Sequence, residues 1–170
     1  KVVPDKMDFI ADITRRGLKR KGLELLGVMP LQPELTRPTM DLIREELGAE
    51  TLNSTKRIDN PVKSVVVGAM AVDHAVRAFK RGALLITPGD REDIVKRAAA
   101  AVLGKKPTAL AGVLLTAGFK LDSRLLDIID EMPFPVLSLT HDSYEAAARV
   151  HGLIVKTRPA DTKKIRLIRD

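Results

Sequence analysis

The chain has no cysteine, no tryptophan and one tyrosine, and aromatic residues make up only 3% of its 170 positions. Without cysteine it has no disulfide, thiolate nucleophile or zinc–thiolate site, and we expect a cytoplasmic location. The scarcity of aromatic rings leaves few platforms on which the bases of single-stranded nucleic acid would stack. No apolar run is long enough to cross a bilayer, so we expect no membrane partner.

The basic excess is confined to the two ends of the chain. Residues 1–24 hold 7 basic and 4 acidic side chains, and residues 156–170 hold 6 and 2. The stretch between them holds 16 of each, although the whole chain carries a net charge of +7. We therefore expect solvated helix faces at the ends, with binding of nucleic acid or an acidic partner as the less favoured alternative.

From residue 62 onward, short apolar runs alternate with helical patterns. The predicted strands are 65–67, 84–86, 113–115 and 136–139, and the predicted helices are 72–80, 92–103, 123–129 and 143–150. Continuous apolar strands that alternate with helices are typical of an α/β fold, with a mostly parallel sheet and helices on both faces. The hydrophobic fraction of 45% is enough for one globular core.

Before residue 62 the pattern is less regular. Amphipathic spacing predicts a helix over 6–21, and a second basic helix is expected at the other end, over 162–169. We expect a strand over 23–29 and a loop over 31–35. Thr36 is the expected N-cap of the next helix, which ends at Gly48. A short strand and a loop are expected over 52–62.

The turns that follow the parallel strands are expected to meet along one edge of the sheet, where open α/β sheets bind ligands. The small, hydroxyl and charged residues in these turns are the candidate ligand-binding residues: Gly68, Thr87, Gly89, Asp90, Arg91, Thr116, Gly118 and Thr140. In this hypothesis Arg91 neutralises an anion and the threonines donate hydroxyls. The glycines leave room for the ligand.

Asp90 and Arg91 have a structural interpretation beside the functional one. Asp90 is placed to cap the helix that follows, with Asp93 three residues on. Arg91 stands at a helix start, where the dipole favours anions. We therefore expect Arg91 to have a partner, either a ligand carboxylate or phosphate or an acidic group across a dimer.

No catalytic or metal-binding residue is predicted. Asp142 is more simply an N-cap, with Glu145 three residues on, than a partner of His141. Three scattered histidines lack the spacing of a metal site, no nucleophile–base arrangement is readable, and no cofactor is expected.

Gly89-Asp90-Arg91-Glu92-Asp93 and, one βα unit later, Thr116-x-Gly118 resemble the DRTGG domain. Val67-Gly68-Ala69-Met70 and Asp142-Ser143-Tyr144 are similar to that family too, and we place the domain at 51–156. Residues 1–50 resemble the C-terminal remnant of a dethiobiotin-synthetase-like P-loop domain, and 157–170 form a basic terminal helix. The resemblance implies the arrangement of long-form phosphate acetyltransferases and a segment from the middle of a longer protein.

The resemblance implies a regulatory, often homodimeric module rather than an enzyme. We expect it to bind a small anionic metabolite or nucleotide. An oligomerisation or scaffold domain without a ligand and a fragment of a phosphate acetyltransferase-type transferase are the alternatives. One departure stands out, because the family's Thr-Gly-Gly is Thr116-Ala117-Gly118 here. If the middle glycine serves a positive φ, alanine would hinder it.

Overall fold

The computed structural model describes residues 2–54, 58–103, 110–159 and 161–169. The chain divides into two compact units, one of Lys1–Thr36 with Thr157–Asp170 and the other of Arg37–Lys156. The larger unit contains the sheet and the predicted ligand-binding residues. No described helix is long and apolar enough to cross a membrane.

The larger unit is built on a five-stranded sheet in the order β1-β5-β4-β3-β2. The strands are β1 (Glu50–Thr51), β2 (Ser64–Val67), β3 (Ala83–Pro88), β4 (Gly112–Thr116) and β5 (Val136–Ser138). Strands β2 to β5 pair in parallel, and only the short β1 runs antiparallel, beside β5. The mostly parallel sheet predicted from the sequence is confirmed.

Helices cover both faces of this sheet, as predicted. The α-helices among the described residues are α1 (Met7–Lys19), α2 (Pro33–Thr36), α3 (Met40–Leu47), α4 (Val72–Ala78), α5 (Glu92–Leu103), α6 (Ser123–Asp130), α7 (Ser143–His151) and α8 (Thr162–Arg169). Leu85 and Val113 pack in a core with α4, α5 and α6. Their neighbours Leu84 and Leu114 point the other way, into a core with α3 and α7.

The helices diverge at the edge of the sheet where the parallel strands end, and we call the place between β4 and β5 where they diverge the switch point. From β2 to β5, each parallel strand lies one step further in the same direction, and α4, α5 and α6 all pack on one face. The next helix, α7, packs on the opposite face. The chain therefore leaves β4 and β5 toward opposite faces, and such divergence opens a crevice beyond the strand ends.

Helix α3 begins later than the sequence predicts. Its N-cap is Thr39, whose hydroxyl accepts the Leu42 N–H at 3.2 Å, so the assignment of Thr36 was wrong. Thr36 instead ends the short helix α2, within the stretch expected to be a loop. Thr39 also has the extended backbone that a cap requires. The predicted end of α3 at Gly48 is confirmed by its φ of +64°.

The predicted strand over 23–29 does not form. Among the described residues of the smaller unit, the β-type pairing is an isolated bridge between Val2 and Pro30. Leu26 is 95% exposed and Met29 is 70% exposed. Apolar sequence alone does not produce a strand, because a strand needs a neighbour to satisfy its backbone groups.

Strand β1 begins two residues before the predicted strand, and the chain then turns inward at Asn53. The Asn53 amide nitrogen donates to the carbonyls of Ile129, Met132 and Phe134 at 3.0–3.3 Å. Its side-chain oxygen accepts the Val136 N–H at 3.0 Å. This buried side chain therefore ties β1 to the connection between α6 and β5. Residues 55–57 of the predicted loop lie outside the described residues.

Candidate functional site

A cleft of about 490 Å³ lies at the switch point. Its walls come from the segment between α3 and β1, the turn after β4, the start of α6 and the end of β5. The lining residues are Leu47, Gly48, Glu50, Leu52, Gly118, Phe119, Lys120, Leu121, Leu126, Ser138, Leu139, Thr140 and His141. This volume is within the range of small-molecule sites in proteins, roughly 300–1,000 Å³.

The back of the cleft is closed by hydrogen bonds between the turns that follow β4 and β5. The Ala117 N–H donates to the His141 carbonyl at 2.8 Å, and the Gly118 N–H donates to the Leu139 carbonyl at 3.1 Å. Both Ala117 and Gly118 have positive φ, 67° and 60°. Two consecutive left-handed residues fold the β4 turn over toward the β5 turn.

Charged and hydroxyl groups stand at one side of the cleft. Glu50 is opposite Ser138 in the β1–β5 ladder, and Lys120 follows the β4 turn. Among the described residues neither Glu50 nor Lys120 forms an ion pair, and both are exposed. One cation and one carboxylate are therefore available to a ligand, together with the hydroxyls of Ser138 and Thr140.

His141 lies at the rim of the cleft. Its Nδ1 is buried and has no hydrogen-bond partner among the described residues. Its Nε2 lies 3.6 Å from a carboxylate oxygen of Glu145, which also accepts from Arg149 at 2.7 Å. The neighbouring Asp142 accepts the Glu145 N–H at 2.8 Å, so the prediction that Asp142 is an N-cap is confirmed.

Two of the predicted hydroxyl donors lie in the interior of the fold. Thr116 is 1% exposed, and its Oγ1 lies 2.7 Å from the Ser143 hydroxyl at the start of α7. Thr87 is completely buried, and its hydroxyl has no partner among the described residues. A Cβ on Gly68 would lie 3.1 Å from that hydroxyl, so Gly68 serves close packing over Thr87.

The Gly-Asp-Arg turn is organised differently from the prediction. Helix α5 begins at Glu92, and the Arg91 carbonyl accepts the N–H groups of Ile94 and Val95. The N-cap position is therefore Arg91, and its assignment to Asp90 was wrong. The Arg91 N–H donates to the Pro88 carbonyl at 3.1 Å, so Asp90 lies within a turn that precedes the N-cap.

Arg91 has a partner within its own chain. Its guanidinium donates to both Asp93 carboxylate oxygens, at 2.9 and 3.0 Å. It also reaches the carbonyls of Gly68 at 3.4 Å and Met70 at 3.3 Å. The hydrogen bond from Arg91 is the main reason that the pKa of Asp93 is lowered. The side chain thus links the turn after β2 to the start of α5.

The Gly-Asp-Arg turn touches the cleft through Phe119. A Cβ on Gly89 would lie 3.1 Å from the Phe119 Cβ and 3.5 Å from a methyl group of Leu121. The Gly89 N–H donates to the Thr116 carbonyl at 3.1 Å. Gly89 therefore supports the cleft wall from behind.

Of the eight candidate residues, only Gly118 and Thr140 line the cleft. The other six lie around the ends of β2 and β3 or behind the β4 turn. Glu50 and Lys120 were missed, because their position depends on the strand order, which the sequence does not reveal. A lysine directly after an apolar strand and its glycine turn was the available signal. No cluster of three or more potential metal ligands occurs in the part of the chain that the structure describes.

The fold and the cleft define an α/β module with a crevice beyond the ends of its parallel strands. Residues 42–153 match the family model of the DRTGG domain, and the chain belongs to this family. The resemblance noted in the sequence is thereby confirmed.

Curated relatives of the chain include phosphate acetyltransferases. The Pseudomonas putida enzyme is 32% identical over 90% of this chain, and the Deinococcus radiodurans enzyme is 33% identical over 95%. The chain spans only 22% and 24% of the two enzymes. A crystal structure of the CBS and DRTGG domains of the regulatory region of Clostridium perfringens pyrophosphatase, complexed with its activator diadenosine tetraphosphate, has a similar fold. It matches with a TM-score of 0.56 at 20% identity, covering 89% of this chain and 71% of that one.

Proposed function

We propose that the chain is the non-catalytic, ligand-sensing DRTGG module of a longer bacterial protein related to phosphate acetyltransferase. It binds a small anionic metabolite or nucleotide in the switch-point cleft. The observation that carries the proposal is the cleft itself, where Lys120 stands without an ion-pair partner among the described residues. A cytoplasmic location, expected from the sequence, belongs to the same proposal.

The groups in the cleft are suited to binding. Lys120 supplies a cation, Ser138 and Thr140 supply hydroxyl donors, and Glu50 accepts hydrogen bonds. The activator in the regulatory region of the Clostridium perfringens pyrophosphatase, diadenosine tetraphosphate, supports a nucleotide as one class of ligand.

Occupancy of the cleft would be reported through Phe119. This ring packs against Gly89, at the start of the Gly-Asp-Arg turn, and Arg91 in that turn holds the carbonyls of Gly68 and Met70. A ligand that moves Phe119 therefore shifts the turns after β3 and β2. It acts only if it binds the two arrangements with different affinity.

Thermal-shift screening of the chain against nucleotides, acyl phosphates and small carboxylates tests the proposal. A ligand present at 100 times its Kd stabilises by about 2.7 kcal/mol, which raises Tm by roughly 5–10 °C in a chain of this size. Lys120→Gln should remove the shift, whereas Lys80→Gln, an exposed lysine away from the cleft, should preserve it. Failure of every compound to raise Tm would contradict ligand sensing.

The outer edge of β2 favours a second candidate function, self-association as a homodimer. This strand ends the sheet, and Val65 is 40% exposed on it. An apolar edge strand is a template for pairing with another chain. In sedimentation experiments Val65→Lys should weaken association at least tenfold, whereas Val65→Thr should not. A wild-type monomer at every concentration would contradict dimerisation.

We also propose that residues 1–50 continue a P-loop-like domain of the longer protein. Helix α1 has no buried residue, and Leu26 is 95% exposed. Since the chain has no cysteine, Leu26→Cys provides a single site for maleimide labelling. Labelling should be fast in this chain and at least tenfold slower in the full-length protein. Equal rates would contradict the proposal.

A further inference from the structure

The cleft is too large and too apolar for a small inorganic anion alone. Its volume is about 490 Å³. Much of its wall is apolar: Leu47, Leu52, Phe119, Leu121, Leu126 and Leu139. A phosphate or acetyl phosphate bound at Lys120 would leave the exposed members of this set, Phe119 and Leu126, facing water. A ligand that fills the site therefore has a sizeable ring or apolar part in addition to its anionic group.

Phe119 offers an exposed aromatic surface at this site. Its Cβ lies 3.1 Å from the position that a Cβ on Gly89 would take, so the Gly89 backbone supports the side chain from behind. The residue is nevertheless 46% exposed. A supported but exposed ring offers a face on which a nucleobase stacks, since every base has a flat π surface.

Glu50 limits the charge of the ligand and indicates its polar groups. Its carboxylate only accepts hydrogen bonds, and it lies at the sheet edge directly opposite Ser138. Acidic residues near strand ends bind ribose hydroxyls in dinucleotide-binding folds. The charges of Lys120 and Glu50, which both line the cleft, cancel in sum. The cleft therefore favours a ligand with one phosphate group over one with a chain of several.

We propose that the switch-point cleft binds a nucleoside monophosphate, with its base on Phe119, its ribose on Glu50 and its phosphate at Lys120. The inference rests on the proposed ligand-sensing function and names the ligand class of that site. Thr140, which also lines the cleft, lies beside Gly118, since its methyl group is 3.4 Å from the position that a Cβ on Gly118 would take.

Isothermal titration with AMP, 2′-deoxy-AMP, adenosine, ATP and acetyl phosphate tests the inference on the whole chain. AMP should bind at least fivefold more tightly than each of the other four compounds. Glu50→Gln should abolish the preference for AMP over 2′-deoxy-AMP, whereas Glu46→Gln, an exposed control in α3, should retain it. Phe119→Leu should weaken AMP binding at least fivefold and should not change Tm by more than a few degrees.

The outcomes separate this inference from the proposed function. If acetyl phosphate or another small anion binds in a manner that depends on Lys120 and no nucleotide binds, the nucleotide inference fails and ligand sensing survives. Equal affinity for AMP and adenosine, or AMP binding that Glu50→Gln and Phe119→Leu leave unchanged, would also overturn the inference. If none of the five compounds binds, the inference fails, and the thermal-shift screen alone then decides the proposed function.

Discussion

Ala117 is the residue at which this chain departs from the family's Thr-Gly-Gly and at which the backbone is least suited to its side chain. Its φ is 67°, and the following Gly118 has a φ of 60°. The left-handed conformation costs an L-residue about 1–2 kcal/mol, but the Ala117 N–H bond to the His141 carbonyl retains it. The positive φ considered for this position is present, so Ala117 has a backbone conformation that is unfavourable for alanine.

Ala117→Gly should therefore stabilise the fold by about 0.5–1 kcal/mol, since relief of the strain exceeds the entropy that glycine gains in the unfolded chain. Urea denaturation followed by circular dichroism measures the change. Ala148→Gly, on the exposed face of α7, is the control and should destabilise by about 1 kcal/mol. A loss of stability in Ala117→Gly would show that Ala117 is not strained.

The Arg91–Asp93 pair predicts a dependence of stability on pH. The pKa of Asp93 is lowered from its ordinary value of 3.8, so folding is favoured by the ionised form. Its contribution is present above that value and is lost as the pH falls through the lower pKa of the folded state. Wild type should be more stable than Asp93→Asn at pH 7, and the two should converge once the pH has fallen through the lowered pKa of Asp93 in the folded state.

The matched control for this pair is Asp127→Asn, on the exposed side of α6, where no ion pair is broken. It should be close to wild type at pH 7. If Asp93→Asn is also indistinguishable from wild type at neutral pH, the bond from Arg91 does not stabilise the fold.

The hydrogen-bond partner of a residue can be predicted from the sequence when it lies a few positions away along the chain. The cap at Asp142 was predictable, because its partner, Glu145, is three residues away. The need of Arg91 for a partner was visible too, but the position of Gly68 and Met70 beside it depends on the pairing of β2 and β3. The sequence alone does not contain that information in readable form.

At the scale of elements, the repeating strands and helices were predictable because each is long enough to show its period. Helix α5 has the predicted bounds. The strand expected over 23–29 was wrong, because its backbone partners come from outside the segment. The start of the short β1 was predicted two residues too late, because the position of β1 is set by its pairing with β5.

Gly112 opens the central strand β4 and has no room for a side chain. A Cβ there would lie 2.7 Å from the Pro135 carbonyl oxygen and would overlap the Met40 methyl group. Gly112→Ala should destabilise by about 1–3 kcal/mol, because buried backbone must move. Denaturation curves measure it, with Gly152→Ala as the control, where the nearest atom is at 3.4 Å. Equal effects of the two substitutions would contradict this packing.

Asn53 holds β1 to the end of α6 and the start of β5. Asn53→Ala should cost about 2–4 kcal/mol, because it leaves the buried Val136 N–H and nearby carbonyls without their partner. Ser54→Ala, at the exposed neighbouring position, should change stability by less than about 0.5 kcal/mol. The comparison uses the same urea titration. A loss below 1 kcal/mol in Asn53→Ala would show that water replaces these bonds.

At the scale of the whole molecule, strand order decides where the site lies. The turns were correctly expected at one sheet edge, but their sequence does not reveal that β5 sits between β4 and an antiparallel β1. That arrangement brings Glu50 beside Ser138 and makes β4 and β5 the point of divergence. The site that we propose is the cleft, and the Gly-Asp-Arg turn lies behind its wall. A ligand-binding role for Gly89 and Arg91 stays a prediction.

The most direct test of this account is a map of where a ligand binds. Backbone amide shifts of the isotope-labelled chain should be recorded by NMR during titration with the best compound from the thermal screen. If the ligand binds in the cleft, the largest shift changes should occur at 118–121, 138–141 and 48–50, with smaller changes at 89–91. Largest changes at 68–70 and 90–93, with none at Lys120 or Glu50, would contradict it and place the site at the ends of β2 and β3.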